Sequence, residues 1–215
     1  MAAFDFGVKV DPWLFDREYS TINIQRYFRQ GWEMFRENVG EFIGFTLVIF
    51  AVWLVSAMFD AGSSLLFSAV AAPLYSGYSI VAFKLSNGHP FQFSDFFKGF
   101  SYFLPLFLVS FASTLLVSIG FVLLLLPGIY LAICYMFTTF LVIDYRMEFW
   151  QAMEMSRTII SRNWFSFFGF ACVLFALNLL GALAFGIGLL ITIPVTSCAA
   201  AIAYKEIVGL YSSEW

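Results

Sequence analysis

Between Phe100 and Ile143 the chain runs for 44 residues without one Asp, Glu, Lys, Arg or His. An apolar bilayer core of about 30 Å takes about 20 helical residues to cross, so this run predicts two membrane-spanning helices joined by a short turn. The turn is expected near Ser118 and Gly120, which leaves Pro127 and Gly128 in the first part of the returning helix. A competing choice starts the return at Pro127, where a missing N–H costs nothing. Apolar runs of similar length on either side complete a set of six spans, at about 42–59, 64–85, 100–120, 123–143, 165–183 and 189–208.

The segments between these runs are amphipathic. From Ser20 or Thr21, both good N-caps, a helix is expected in which Ile24, Phe28, Trp32, Phe35 and Val39 form an apolar stripe and Arg26, Arg29, Glu33, Arg36 and Glu37 take the other positions. Such a helix either lies at the membrane interface or packs under the protein's own spans. A turn at 86–92 leads into a short amphipathic helix capped by Ser94, with Phe93, Phe96, Phe97 and Phe100 toward the membrane. A third such segment, 144–164, carries an apolar side marked by Trp150, Met153, Ile160 and Trp164. Residues 1–19 mix acidic and aromatic side chains and read as an N-terminal cytoplasmic arm, with 20–215 as a single membrane domain. That arm lacks the basic start of a signal peptide, so no cleaved signal is expected.

Composition supports a membrane protein. Hydrophobic residues make up 61% and charged ones 12%, against about 25% charged in an average soluble domain. The net charge of −3 and the scattered Lys and Arg residues exclude nucleic acid as a partner. Cys134, Cys172 and Cys198 lie in apolar runs with no CxxC spacing, so neither a disulfide framework nor a metal site is indicated.

The first and last hairpins align at a constant offset. Asn38, Phe42, Gly44 and Phe45 fall on Asn163, Phe167, Gly169 and Phe170, and Pro73, Ser76, Ala82, Lys84 and Gly88 on Pro194, Ser197, Ala203, Lys205 and Gly209. The central hairpin joins more weakly, with Pro127 near the place of the other prolines. Three hairpins that each start and end on one side make parallel repeats about an axis along the membrane normal, unlike the inverted repeats common in alternating-access transporters. Every Lys and Arg then lies on one side, which the positive-inside rule makes the cytoplasm, with both termini there.

Chemistry is sparse. No HExxH, GxSxG, GxGxxG or Walker pattern occurs, no span carries a charge near its middle, and His89, the only histidine, has no catalytic companion. The chain is therefore expected to be no enzyme and to need no cofactor. Within spans, Ser110, Ser113, Thr114, Ser118, Thr138, Thr139, Thr192, Thr196 and Ser197 are expected to bond across helices or to their own i−4 carbonyls. Asn178 cannot be satisfied by lipid and should face another helix or a polar cavity. Pro73, Pro127 and Pro194 are the expected kink positions. Arg36, Lys84, Arg162 and Lys205, at the cytoplasmic ends of the outer hairpins, are candidate contacts for anionic lipid or an acidic partner.

The run LLPGIYLAICYMFTTFLVID, ending on Asp144, and the following segment with Ala152, Ser156 and Asn163 resemble the bacterial six-span family of the glycerophosphoryl diester phosphodiesterase membrane domain and its stand-alone relatives of unknown function. The likeness covers roughly residues 22–209. It implies a polytopic inner-membrane protein with a role in lipid or envelope biology, without the hydrolase domain that some relatives carry. Two functions are weighed: a non-enzymatic protein that binds membrane lipids or serves other membrane subunits, and a small transporter or channel with a path along the pseudo-threefold axis.

Overall fold

A computed structural model describes residues 22–58, 62–184 and 186–211. The described chain is helical with no strand. Its helices are α1 (Ile24–Glu37), α2 (Val39–Ala57), α3 (Gly62–Ser86), a 3-10 helix (Phe93–Tyr102), α4 (Phe103–Leu123), α5 (Leu125–Cys134), α6 (Thr138–Tyr145), α7 (Phe149–Ser161), α8 (Trp164–Leu183) and α9 (Leu189–Ile207). Five stretches, Val39–Ala57, Phe93–Leu123, Leu125–Tyr145, Trp164–Leu183 and Leu189–Ile207, are long and apolar enough to cross a bilayer. The protein is thus an all-α membrane protein.

The spans divide into two kinds. Within α2, α4 and α8 only 22%, 17% and 17% of the most apolar stretch is buried, against 50% in α5–α6 and 61% in α9. α2, α4 and α8 therefore leave most of their apolar side chains exposed, and α5–α6 and α9 form the interior. In α3, too, residues 76–83 are buried without interruption. Phe83, Phe140 and Tyr204, one from each inner element, meet in a triangle with ring centroids 5.7, 5.5 and 5.3 Å apart. Rings of this size bury a large apolar area and close the space between three helices.

The amphipathic segments pack on the inner helices, α1 on α9, the 3-10 helix on α3, and α7 on α5 and α6. Gly31 of α1 lies so close to α9 that a Cβ there would come within 2.9 Å of the Ala199 nitrogen. Gly77 of α3 and Gly99 of the 3-10 helix approach each other's backbones at Phe96 and Pro73, where added Cβ atoms would fall 2.0 and 2.1 Å from carbonyl oxygens. Small residues permit this closeness, which membrane helices need because apolar burial alone does not drive them together.

Several expectations change. Ser20 and Thr21 lie outside the described residues, and the cap of α1 is Asn23, whose side chain accepts from the Arg26 N–H at 3.0 Å. The buried stripe of α1 is Tyr27, Gly31 and Phe35, while Trp32 and Val39 are exposed. The face is rotated because contact with α9 selects the glycine that admits its backbone. The 3-10 helix begins with Gln92 and Asp95 bonded reciprocally at 2.8 Å, not with Ser94, and Phe96 turns inward while Phe93, Phe97 and Phe100 stay exposed. In α7, Trp150 is exposed, and Ala152, Met155, Ser156 and Ile159 join Met153 and Ile160 in the buried face.

The central hairpin turns at Leu124, in extended backbone, beyond Ser118 and Gly120. Gly120 instead lets the two arms touch, since a Cβ there would sit 3.0 Å from Gly128. Pro127 is the third residue of α5, where its N–H would have had no helical partner, so it breaks nothing. The returning arm is interrupted lower down, between Cys134 and Thr138. There Ser156 of α7 donates to the Cys134 carbonyl at 2.6 Å and accepts from the Phe137 N–H at 3.2 Å.

Candidate functional site: two cavities that meet at Tyr75

The four candidate cations do not form a cluster in the described contacts. Lys84 donates to the Asp95 carboxylate at 2.7 Å, tying the end of α3 to the 3-10 helix, and Lys98 reaches the same carboxylate at 2.9 Å. Lys205, at the end of α9, bonds the Ser86 carbonyl and Asn87 Oδ1. Both lysines are thus committed to holding the segment 84–95. Arg36 and Arg162 are exposed on other helix ends.

Lys205 and Glu206 also line a cleft of about 390 Å³ with Gln30, Met34, Ser86 and Ile202. Glu206 accepts from Arg26 and from the Tyr27 hydroxyl, the latter at 3.2 Å. Burial, with the Glu206 carboxylate beside it, pushes the Tyr27 phenol above its usual value and keeps it a neutral donor. The cleft so carries one cation and one anion, a poor match for an anionic headgroup.

Asn178 meets another helix, as expected of an amide in lipid. Its Nδ2 donates to the Leu174 carbonyl at 3.0 Å and to Thr196 Oγ1 of α9 at 3.1 Å, which joins α8 to α9. Thr196 in turn bonds the Thr192 carbonyl at 2.7 Å. Pro73 and Pro194 lie inside α3 and α9. The Pro73 carbonyl accepts from Ser76 Oγ at 2.7 Å. Asp144 is buried at the end of α6, where it accepts from the Tyr204 hydroxyl at 2.9 Å and the Tyr211 N–H at 3.0 Å.

Two cavities open among the spans. The first, of about 530 Å³, lies between α2, α3 and the start of α9. Leu47, Ile49, Phe50, Trp53, Leu189, Leu190 and Ile193 make its walls, with Thr46 and Tyr75 as the polar contributors. The Thr46 hydroxyl is already bonded to the Phe42 carbonyl and the Tyr78 hydroxyl, both at 2.7 Å. Because Leu47, Phe50 and Trp53 are also exposed on the outer face of α2, this cleft is open to the bilayer.

The second cavity, of about 370 Å³, lies between α3, α4 and the interruption of α5–α6. Tyr75, Ser76 and Ser79 line it from α3, Ser110, Ser113 and Thr114 from α4, and Tyr135 and Thr139 from the interrupted arm. No charged side chain lines it, and Phe140 of the aromatic triangle forms part of its wall. Tyr75 borders both cavities. Of these hydroxyls, Ser110, Ser113, Thr114 and Thr139 are among the span polar groups the sequence points to. Tyr75, Ser79 and Tyr135 are not, although the spacing of Ala72, Ser76 and Ser79 with Leu106, Ser110 and Ser113 is that of two helix faces.

Among the described residues no group of three or more His, Cys, Asp or Glu side chains could hold a metal ion. No family model, curated protein or solved structure matches the chain.

Proposed function

We propose that this chain is a non-enzymatic inner-membrane protein that holds lipid within its own helical bundle, alone or as an accessory subunit of a membrane assembly. The observation that carries the reading is the cleft of about 530 Å³ between α2, α3 and α9, apolar in its walls and open to the bilayer. Hydrocarbon chains are the material available to fill such a cleft, and a vacant one would forfeit the packing contacts of its lining. The family likeness points the same way, and two of its motif residues hold the bundle together: Ser156 bridges the α5–α6 interruption and Asp144 anchors Tyr204 and Tyr211.

The reading includes six spans in three parallel hairpins with both termini cytoplasmic. The helix α3 has 25 residues, about 37 Å at 1.5 Å per residue, which is long enough to cross. Asn38 and Asn163, matched in the repeat, both cap a first hairpin helix with nearly the same backbone, φ −133°, ψ 40° and φ −135°, ψ 47°. Phe42, Phe45, Phe167 and Phe170, matched likewise, are all fully buried. The triangle of Phe83, Phe140 and Tyr204 fills the space where α3, α6 and α9 meet, which argues against an open path between these three helices.

The test is to purify the protein in mild detergent and weigh its complexes by native mass spectrometry, alongside Leu47→Trp, which fills the cleft. Lipid retained by the wild type and reduced at least about tenfold in the variant is the expected result, since one lost acyl contact surface of this kind is worth more than about 1.4 kcal/mol. A wild type that carries no lipid would refute the reading.

A further inference from the structure

We propose that the hydroxyl-lined cavity between α3, α4 and the α5–α6 interruption is the headgroup site for an uncharged lipid bearing hydroxyl or carbonyl groups, whose acyl chain lies in the apolar cleft on the other side of Tyr75. This deepens the lipid-holding reading and rests on it.

The argument begins with what hydroxyls do in a bilayer. An unbonded hydroxyl in an apolar medium is costly, and a Ser or Thr in a spanning helix usually escapes by bonding the carbonyl one turn back. Thr46, Ser56 and Thr196 take that escape, bonding the carbonyls of Phe42 at 2.7 Å, Val52 at 2.8 Å and Thr192 at 2.7 Å, and in the cavity Ser76 bonds the Pro73 carbonyl at 2.7 Å. Ser113 differs. Ser113 Oγ is shielded from solvent and has no hydrogen-bond partner among the described residues, and it lies on the same face of α4 as Ser110 and Thr114. Opposite stand Ser79 and Tyr75 of α3 and Thr139 of α6. A volume of about 370 Å³ is far beyond what a single water needs.

The charge of the occupant follows from the walls. With no Lys, Arg or His in the lining, a phosphate or carboxylate would be buried without compensation, whereas hydroxyl and ester groups find donors and acceptors on three sides. Tyr75 supplies the connection: it borders both the hydroxyl-lined space and the apolar cleft, so one molecule can place its head on one side of the ring and its chain on the other. The interruption between Cys134 and Thr138 belongs to the same picture, since irregular backbone at membrane depth is tolerated where it borders a cavity or is buried in protein.

The experiment reconstitutes the protein in phosphatidylcholine nanodiscs doped equally with diacylglycerol and phosphatidylglycerol and measures both lipids retained after detergent extraction. The wild type is expected to enrich diacylglycerol over phosphatidylglycerol about tenfold, and Ser79→Ala/Ser110→Ala/Ser113→Ala to bring that ratio near one while total lipid stays unchanged. Should the triple variant fail to insert, Ser113→Ala alone is read for the same ratio, with a shift of about threefold expected. A ratio that is near one in the wild type, or unmoved by the substitutions, would mean the cavity holds water and would overturn the inference while leaving the lipid-holding function intact. Retention of neither lipid by the wild type would remove both.

Discussion

Ser156 places its hydroxyl between two ends of backbone that no helix serves, donating to the Cys134 carbonyl at 2.6 Å and accepting from the Phe137 N–H at 3.2 Å. It is fully buried, and it splices α5 to α6 from a neighbouring helix. Ser156→Ala should leave one buried acceptor and one buried donor with weakened satisfaction and destabilise the bundle by about 1–3 kcal/mol. Thermal unfolding in detergent measures the loss, with Ser161→Ala, on the exposed end of the same helix, as the control that should change little.

Gly31 governs how α1 docks. Because an added Cβ would meet the backbone of Ala199 at 2.9 Å and of Val195 at 3.1 Å, Gly31→Ala should push α1 away from α9 and cost about 1–3 kcal/mol. At Gly40 nothing stands within 4 Å, so Gly40→Ala should be neutral or mildly stabilising. Protease accessibility of the segment 22–37 in the two variants distinguishes a docking defect from general unfolding.

The Lys84–Asp95 pair holds the 3-10 helix to α3 while largely shielded from solvent. Lys84→Met should cost about 1–3 kcal/mol, less than the loss of an isolated buried pair, because Lys98 remains 2.9 Å from the same carboxylate. Lys84→Met/Lys98→Met should cost more than the sum of the single changes, and chemical denaturation of the four proteins in mixed micelles would reveal it. Strict additivity would show that the two lysines act independently on Asp95.

The placement of α3 across the membrane has its own check. Single cysteines at Ser63 and Ser86 in a cysteine-free background should react with an impermeant maleimide from opposite sides of oriented vesicles. Labelling of both from one side would remove α3 from the set of spans and break the three-hairpin scheme.

The amino-acid sequence determined the fold class and most helix positions, because the bilayer imposes one strong demand: long apolar runs must be helical, and polar segments must leave the hydrocarbon. Val39–Ala57, Trp164–Leu183 and Leu189–Ile207 accordingly lie within a few residues of the runs read from hydropathy. Asn178 was legible as a residue that must face another helix or a polar cavity, because an amide has no partner in lipid, and the structure has it bond Thr196 of α9. What tertiary structure decided is which face of each element turns inward. Trp32 outranks Gly31 in any apolar stripe, yet Gly31 is buried, because in a membrane close backbone approach, not apolar burial, selects the contact face. The interruption at 135–137 carries no Pro or Gly to announce it, and it is held by a serine 19 and 22 residues further along the chain. The cavity around Tyr75 is of the same kind: eight hydroxyls from three separate segments acquire chemical meaning only once packing sets them around one space.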